Sequence, residues 1–319
     1  MNAADIKKNG ELIIENVEKV IVGKREILRK VLVAMLSGGH VLLEDMPGTG
    51  KTTLAKALAK SIDITCTRVQ FTPDLLPSDL TGINFYNQKL SEFSFRKGPL
   101  FTNLLLADEI NRATPRTQSS LLESMEEATV TVDSVTYKLD KPYFVIATQN
   151  PIETQGTFPL PEAQLDRFFM KLSMGYLDRN SEVEMLSRGR SGSALDSISA
   201  VATGADICEM QQAVKEIAVS EDIKGYIVDI IHATRDHGNA RLGVSPRGAI
   251  ALMRGAQANA ALDGRDFVTP DDVKAVAPAI LSHRIIAKGG AAIRGENASG
   301  KIVDDVLASV AVPTEKIEG

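Results

Sequence analysis

The fold is decided by residues 40–53, HVLLEDMPGTGKTT, in which an apolar run leads directly into a glycine-rich loop that ends in a lysine. The run 40–44 predicts a short buried strand, and residues 52–62, rich in Ala, Leu and Lys, predict a helix after the loop. This order of strand, loop and helix lets the loop aim several backbone N–H groups at one anion. The stretch therefore predicts a phosphate-binding site.

The loop contains the residue types that phosphate chemistry requires. Gly48 and Gly50 permit a close approach of the backbone to a phosphate. Lys51 is suited to contact the β- and γ-phosphates, and Thr52 to offer its hydroxyl oxygen to Mg²⁺. The general pattern GxxxxGK[ST] has a glycine where this chain has Asp45. The loop residues predicted to bind a nucleotide are Pro47, Gly48, Thr49, Gly50, Lys51, Thr52 and Thr53.

Two further apolar runs end in polar residues that suit the same chemistry. Residues 103–107 run into Asp108 and Glu109, and residues 143–147 lead to Asn150. Open α/β sheets bind ligands at the carboxyl ends of their strands, so we expect these side chains to meet the loop there. Asp108 would hold Mg²⁺, and Glu109 would orient and deprotonate the attacking water. Asn150 is suited to hydrogen-bond the γ-phosphate or that water.

The pattern of runs also predicts the fold class. Residues 67–71 read as another buried strand and 169–174 as a weaker one, and continuous apolar runs favour a parallel sheet with helices on both faces. After Gly175 strand signals give way to helical ones. We therefore predict an α/β nucleotide-binding core over residues 1–175, with an insertion at 73–98 and a hairpin at 129–137. A small, all-helical lid domain is predicted over residues 176–319.

Composition and charge indicate which kinds of partner and which cellular location to expect. The net charge of −5 gives no global attraction to a phosphate backbone, so nucleic acid is an unfavoured partner. The two cysteines show no spacing typical of a metal or redox site. No segment has the apolar character of a signal peptide or a membrane span, and a cytoplasmic setting is expected.

Taken together, the motifs resemble those of the AAA+ ATPases and, more narrowly, of their MoxR family, across residues 20–284. The matching stretches are LEDMPGTGKT at 43–52, LADEINR at 106–112, ATQNP at 147–151, LPEAQLDRF at 160–168 and SPR at 245–247. The resemblance implies that Lys51 and Thr52 form the Walker A pair, Asp108 and Glu109 the Walker B pair, and Asn150 sensor 1. The family tolerates an acidic residue at Asp45. His283 and Arg284 also match a family stretch, without a role that the residues indicate.

The resemblance further implies two arginines and an adenine site. Arg167 resembles an arginine finger that reaches the γ-phosphate held by the adjacent subunit, where a planar, permanent charge stabilises the transferring phosphoryl group. Arg247 resembles sensor 2 on the lid. Because it follows the helix start Ser245-Pro246, where the helix dipole gives a cation no stabilisation, a bound anion is expected as its counter-charge. Val22 and Gly23 resemble the segment that contacts adenine.

At the level of function, the resemblance implies an ATPase that uses ATP and Mg²⁺ and forms a homo-oligomeric ring, a hexamer. It implies a chaperone-like role in the maturation or assembly of protein clients, often with a von Willebrand factor A domain partner. The insertions would line the ring's pore or contact a client, unless they are inert surface loops. Two alternatives stand beside this function. A nucleotide-dependent regulatory scaffold is disfavoured by intact Glu109, Asn150 and Arg167, and a DNA-remodelling motor by the acidic charge balance.

Overall fold

The computed structural model of the protein describes residues 1–46, 48–89, 91–151, 156–188, 194–289 and 297–313. Its strands are β1 Val41–Glu44, β2 Cys66–Gln70, β3 Gly82–Asn87, β4 Glu92–Lys97, β5 Leu104–Asp108, β6 Thr129–Val132, β7 Val135–Lys138, β8 Phe144–Gln149, β9 Met170–Leu172, β10 Ala240–Leu242 and β11 Ile286–Ala287. Its helices are α1 Ala3–Glu18, α2 Arg25–Leu36, α3 Lys51–Ser61, α4 Pro77–Thr81, α5 Pro115–Glu127, α6 Glu162–Leu165, α7 Arg179–Arg188, α8 Gly204–Lys215, α9 Glu221–Asp236, α10 Pro246–Leu262, α11 Pro270–Leu281 and α12 Ala298–Ser309.

A five-stranded parallel sheet in the order β2-β5-β8-β1-β9 forms the centre of the core. The predicted parallel α/β sheet is therefore confirmed. One detail of the prediction is wrong, because β2 is not a buried strand: its residues alternate between exposed and half-buried. The reason is its position at the edge of the sheet, where Arg68 and Gln70 project towards solvent.

Alternate residues of the central strands enter two separate hydrophobic cores. In β1, Val41 and Leu43 join the core that also contains α1, α2 and α3. Leu42 lies between them in sequence and joins the opposite core with Leu121 and Leu122 of α5. Because successive side chains of a strand point to opposite faces, both faces of the sheet need apolar residues, which explains the continuous apolar runs.

The two predicted insertions are hairpins on the core. Residues 73–98 contain α4 and the antiparallel pair β3–β4, and β6–β7 forms the shorter hairpin predicted around Asp133. In the longer hairpin, the rings of Tyr86 and Phe93 meet edge to face at 5.4 Å. These two side chains are 52% and 73% exposed, so the insertion presents aromatic surface to solvent.

The chain after β9 is mainly helical and forms the lid, although the prediction of an all-helical domain is wrong in one detail. Ser220 caps α9, and Thr269 with Asp272 forms a capping box at the start of α11. The lid also contains a two-stranded antiparallel ribbon, β10–β11, that the sequence reading did not predict, since two- and three-residue strands give no periodic signal. The boundary between residues 175 and 176 stays a prediction. None of the helices in the described part of the chain combines the length and apolar character needed to cross a membrane.

His40, directly before β1, joins the strand to two other elements from inside the core. Its Nδ1 accepts a hydrogen bond from the Val145 N–H at 3.0 Å, and its Nε2 lies 2.8 Å from the Met125 carbonyl at the end of α5. Burial lowers the pKa of His40 to about 4. The neutral ring is therefore the form that the fold requires.

Acidification should destabilise the protein through His40. The pKa of the folded-state ring, about 4, lies below its ordinary value of 6.5, so its contribution is complete above pH 6.5 and is lost as the pH falls towards 4. The shift corresponds to about 3 kcal/mol in the free energy of unfolding. We expect His40→Gln to reduce this pH dependence in chemical denaturation, because an amide can both donate and accept. The exposed His232→Gln is the control; equal pH slopes in all three proteins would contradict the assignment.

Candidate nucleotide-binding site

The loop between β1 and α3 opens into a cleft at the carboxyl edge of the sheet. Gly48 and Gly50 have φ values of +84° and +90°, in the left-handed region that favours glycine. Gly50 is the N-terminal cap residue of α3 and no side chain caps the helix, so the first-turn N–H groups are available to an anion. The cleft of about 400 Å³ is lined by Gly48, Gly50, Lys51, Thr52, Thr53, Arg68, Gln70, Asp108, Glu109 and Asn150. Pro47 lies outside the described residues.

The ammonium group of Lys51 is held by the loop itself. Its Nζ donates to the carbonyl oxygens of Asp45 and Met46 at 3.0 and 3.2 Å. These are neutral acceptors, and a phosphate would offer the same ammonium group a charged one. Lys51 lines the cleft, and its contact with a phosphate stays a prediction.

Asp45 has a role in the structure that the motif alone did not reveal. Its carboxylate is 5% exposed and accepts hydrogen bonds from the backbone N–H of Met174 and of Gly175, the latter at 3.2 Å, and from Ser173 Oγ at 3.3 Å. Charge-assisted bonds of this kind are stronger than neutral ones. The residue that replaces the first loop glycine therefore ties the loop to the segment that follows β9.

Lys24 holds the same segment from its other side. Its Nζ donates to the carbonyl oxygens of Met174, Gly175 and Tyr176, the last two at 3.2 and 2.8 Å. Residues 174–176 line a second, more apolar cleft of about 340 Å³ that shares Gly48, Gly50 and Thr53 with the first. An aromatic base could occupy this cleft while its phosphates reach the loop.

One of the two predicted adenine-contacting residues, Val22, lines this second cleft. Val20, Ile21, Thr49 and Met185 line it as well. Gly23 is not among the lining residues; it has a φ of +68°, and a Cβ atom there would lie 2.4 Å from Ser181 Oγ on α7. The glycine thus permits a close approach of α7, and its contact with adenine stays a prediction.

The carboxylates of Asp108 and Glu109 stand at the end of β5. Glu109 has a φ of +56°, which is uncommon and costly for a residue with a side chain. Its N–H donates to Thr148 Oγ1 at 2.9 Å, and the same hydroxyl donates to Asp108 Oδ1 at 2.6 Å. Thr148 on β8 therefore fixes the turn that aims the two carboxylates.

Three polar residues around this pair were missed by the sequence reading. Arg68 donates to Asp108 Oδ2 through Nε and Nη2 at 3.1 and 2.6 Å. Gln70 Nε2 donates to Glu109 Oε2 at 2.7 Å, and Arg112 Nε lies 3.0 Å from the same oxygen. Arg68 and Gln70 alternate along β2, and a prediction that β2 pairs with β5 would have brought them to this edge.

Oxygen donors in the cleft fit a magnesium ion. Thr52 and Asp108 line one cleft, and Mg²⁺ is usually bound by one or two carboxylates, a hydroxyl, waters and substrate phosphates. No group of three or more His, Cys, Asp or Glu side chains forms a metal cage in the described part of the chain. The guanidinium of Arg68, itself a cation beside Asp108, is 49% exposed and contacts the carboxylate oxygen Oδ2.

The two predicted arginines lie together, away from the cleft. Arg167 Nη1 is 3.5 Å from Glu126 Oε2, and Arg247 Nη2 contacts Glu126 Oε1. Neither arginine is among the described residues that line the cleft of Lys51. The anionic partner expected for Arg247 is therefore a side chain at the end of α5 in this structure.

The fold and the cleft define a P-loop ATPase of the AAA+ class with a helical lid. Residues 40–170 match the model of the ATPase family associated with various cellular activities (AAA), and residues 232–306 match the AAA lid domain. A solved structure from Cytophaga hutchinsonii, titled a "putative ATPase", superposes with a TM-score of 0.91 at 40% identity, and the match covers 98% of this chain and 97% of that one.

Two relatives of similar length identify the family within the AAA+ class. The Chaperone MoxR1 of Mycobacterium tuberculosis is 37% identical across 95% of this chain and 82% of its own length. A Bacillus subtilis relative, "Uncharacterized protein YeaC", is 50% identical across 95% of this chain and 94% of its own length. The chain belongs to the MoxR family of AAA+ ATPases.

Replacing Asp45 should weaken nucleotide binding. Asp45→Ala removes the carboxylate that ties the loop to residues 174 and 175, the wall of the second cleft. Hydrogen bonds to charged groups contribute about 1.5–3 kcal/mol, so we expect roughly a 10- to 100-fold loss of affinity. A titration with a fluorescent ATP analogue measures it. Ser173→Ala, which removes only the neutral hydroxyl contact, is the control, and native affinity in Asp45→Ala would disprove the role.

Proposed function

We propose that the protein is a Mg²⁺-dependent ATPase that works as a ring, a hexamer, and uses ATP hydrolysis to act on protein clients. The single observation that carries this proposal is the division of the charged groups. The lysine, threonine, carboxylates and Asn150 share one cleft, whereas Arg167 and Arg247 are not among its described lining residues and both contact Glu126. A cytoplasmic setting belongs to the proposal on the sequence grounds given above.

In the cleft, each group of the chain has a defined task. Bound MgATP supplies the phosphoryl group and the divalent charge that neutralises it. Lys51 exchanges its carbonyl acceptors for phosphate oxygens, and the N-terminus of α3 adds backbone N–H groups. Glu109 accepts the proton of the attacking water, and Asn150 orients that water or the γ-phosphate.

Completion of the site requires the two predicted arginines, which are not among the described residues that line this cleft. An arginine that stabilises the transferring phosphoryl group is worth a large factor in turnover, and Arg167 and Arg247 lie where they pair with Glu126 instead. Their shared position supports delivery to the cleft of an adjacent subunit. In the isolated subunit, Glu126 would then act as the counter-charge that the neighbour's phosphates replace.

Action on protein clients is supported by two findings. A relative that is 37% identical over 95% of this chain is named a chaperone. The exposed Tyr86 and Phe93 on the β3–β4 hairpin offer aromatic surface of the kind used in protein contacts. A von Willebrand factor A domain protein is the partner class that the family suggests. Proteins retained by Glu109→Gln in ATP, but not by Lys51→Ala, would identify the client.

Binding and turnover should separate in two cleft variants. Lys51→Ala should abolish nucleotide binding, because the phosphates lose their main cationic contact. Glu109→Gln should bind nucleotide and lose turnover by about 10²- to 10⁴-fold, as expected for removal of a general base. Phosphate release and fluorescent-nucleotide titration measure these effects. Lys56→Ala, an exposed position on the same helix, should leave both unchanged; hydrolysis at the native rate by Glu109→Gln would exclude Glu109 as the base.

Arg167 should act on a cleft that is not its own. Arg167→Ala should lose turnover by about 10³- to 10⁵-fold, the size of an arginine-finger effect. Mixed with Glu109→Gln, which has an intact finger, it should regain ATPase activity above the sum of the two separate proteins. Arg241→Ala, which removes an exposed ion pair with Glu162, is the control and should stay active alone. Failure of the mixture to gain activity would sink the intersubunit role.

A further inference from the structure

His283 and Arg284, which match a family stretch without an assigned role, are not among the described residues that line the cleft, yet they form several hydrogen bonds to residues 166–169 of the core. Both residues belong to the short 3-10 turn that follows α11. The Arg284 side chain is 3% exposed. A buried guanidinium is costly unless it is paired and all its donors are satisfied, so its partners indicate what the burial achieves.

Those partners are backbone atoms on either side of Arg167. Arg284 Nη2 donates to the carbonyl oxygens of Asp166 and Phe168 at 3.2 and 2.7 Å, and Nη1 donates to that of Phe169 at 3.2 Å. His283 Nε2 lies 3.0 Å from the same Phe168 carbonyl. The lid therefore holds the chain immediately before and immediately after Arg167.

An ion pair completes this contact and extends it to a second lid helix. Arg284 Nε donates to Asp166 Oδ1 at 2.7 Å, while Asp166 Oδ2 accepts from Ser245 Oγ at 3.3 Å. Ser245 is the residue at the N-terminal cap of α10, two positions before Arg247. One carboxylate thus joins the segment of Arg167 to the helix start that presents Arg247.

The aliphatic part of Arg284 passes the same helix start. A Cβ atom on Gly248 would lie 2.2 Å from Val244 Cγ1 and 3.1 Å from Arg284 Cδ, so a side chain there would clash with Val244 and crowd the arginine. Gly248 is the neighbour of Arg247 in the first turn of α10. Arg284 is therefore packed between the supports of the two arginines that share Glu126.

We infer that Arg284 is a positioning residue that fixes Arg167 and Arg247 relative to one another, so that both reach an adjacent subunit's phosphates as one unit. The inference rests on the proposed intersubunit role of Arg167. It assigns Arg284 a task in the turnover of the neighbour's cleft and none in its own. A purely structural role would instead affect the cleft of the subunit that contains Arg284.

Complementation between variants separates these two roles. Arg284→Met should bind a fluorescent ATP analogue with native affinity and lose about 10- to 100-fold in kcat with KM little changed, because small misplacements of a catalytic group cost this much. Mixed with Glu109→Gln, it should regain activity above the sum of the separate proteins. Its own cleft is intact, and the Glu109→Gln subunit supplies a correctly placed Arg167. Mixed with Arg167→Ala, it should regain none, because neither protein supplies one.

Two further variants keep the test decisive. If Arg284→Met fails to fold, Asp166→Asn replaces it, since this change retains the backbone acceptors and removes the charge of the group that binds Arg284 Nε and Ser245 Oγ. Arg265→Met is the matched control: it removes a lid-internal ion pair with the buried Asp272 and should lower the melting temperature while leaving kcat near native.

The outcomes distinguish this inference from the proposed function. If Arg167→Ala with Glu109→Gln regains activity and Arg284→Met with Glu109→Gln does not, Arg284 acts in its own cleft or only in folding, and the inference is wrong. Native kcat in Arg284→Met also overturns it. If Arg167→Ala itself gains nothing from Glu109→Gln, the intersubunit role falls, and the inference falls with it.

Discussion

The rest of the structure depends on the parallel pairing of β1 between β8 and β9. Because parallel strands end at the same edge, this pairing brings the phosphate-binding loop after β1 beside Asn150 after β8, and β5 adds Asp108 and Glu109 one strand further along. The two hydrophobic cores stabilise this order by burying opposite faces of the same strands. His40 adds a buried polar link between β1, β8 and the end of α5.

Within this framework, charged side chains hold the phosphate-binding loop beside the segment that follows β9. Asp45 accepts hydrogen bonds from the N–H groups at 174 and 175, and Lys24 donates to carbonyl groups of the same segment. The two clefts share Gly48, Gly50 and Thr53. The Asp45 carboxylate ties this loop to residues 174 and 175, which line the second cleft. An acidic residue in place of the usual glycine is therefore a structural link between the predicted phosphate and base sites.

The two predicted catalytic arginines are held by a contact that is separate from the cleft. Arg167 and Arg247 belong to distant parts of the chain, and Glu126 neutralises both. Arg284 lies between their supports, with Nη1 and Nη2 donating to backbone carbonyl oxygens and Nε donating to the Asp166 carboxylate.

The sequence by itself determined the strands of the central sheet, the loop and the starts of several lid helices, because apolar runs, glycines and capping residues act locally. The family motifs identified Lys51, Thr52, Asp108, Glu109 and Asn150 of the cleft, but neither Arg68 nor Gln70. Only the tertiary structure decided that β2 is an edge strand, that Gln70 and Arg68 reach the acidic pair, and that Glu126 pairs with both arginines. These contacts join residues far apart in the chain, and no local pattern records which strands become neighbours or which side chain meets a buried guanidinium.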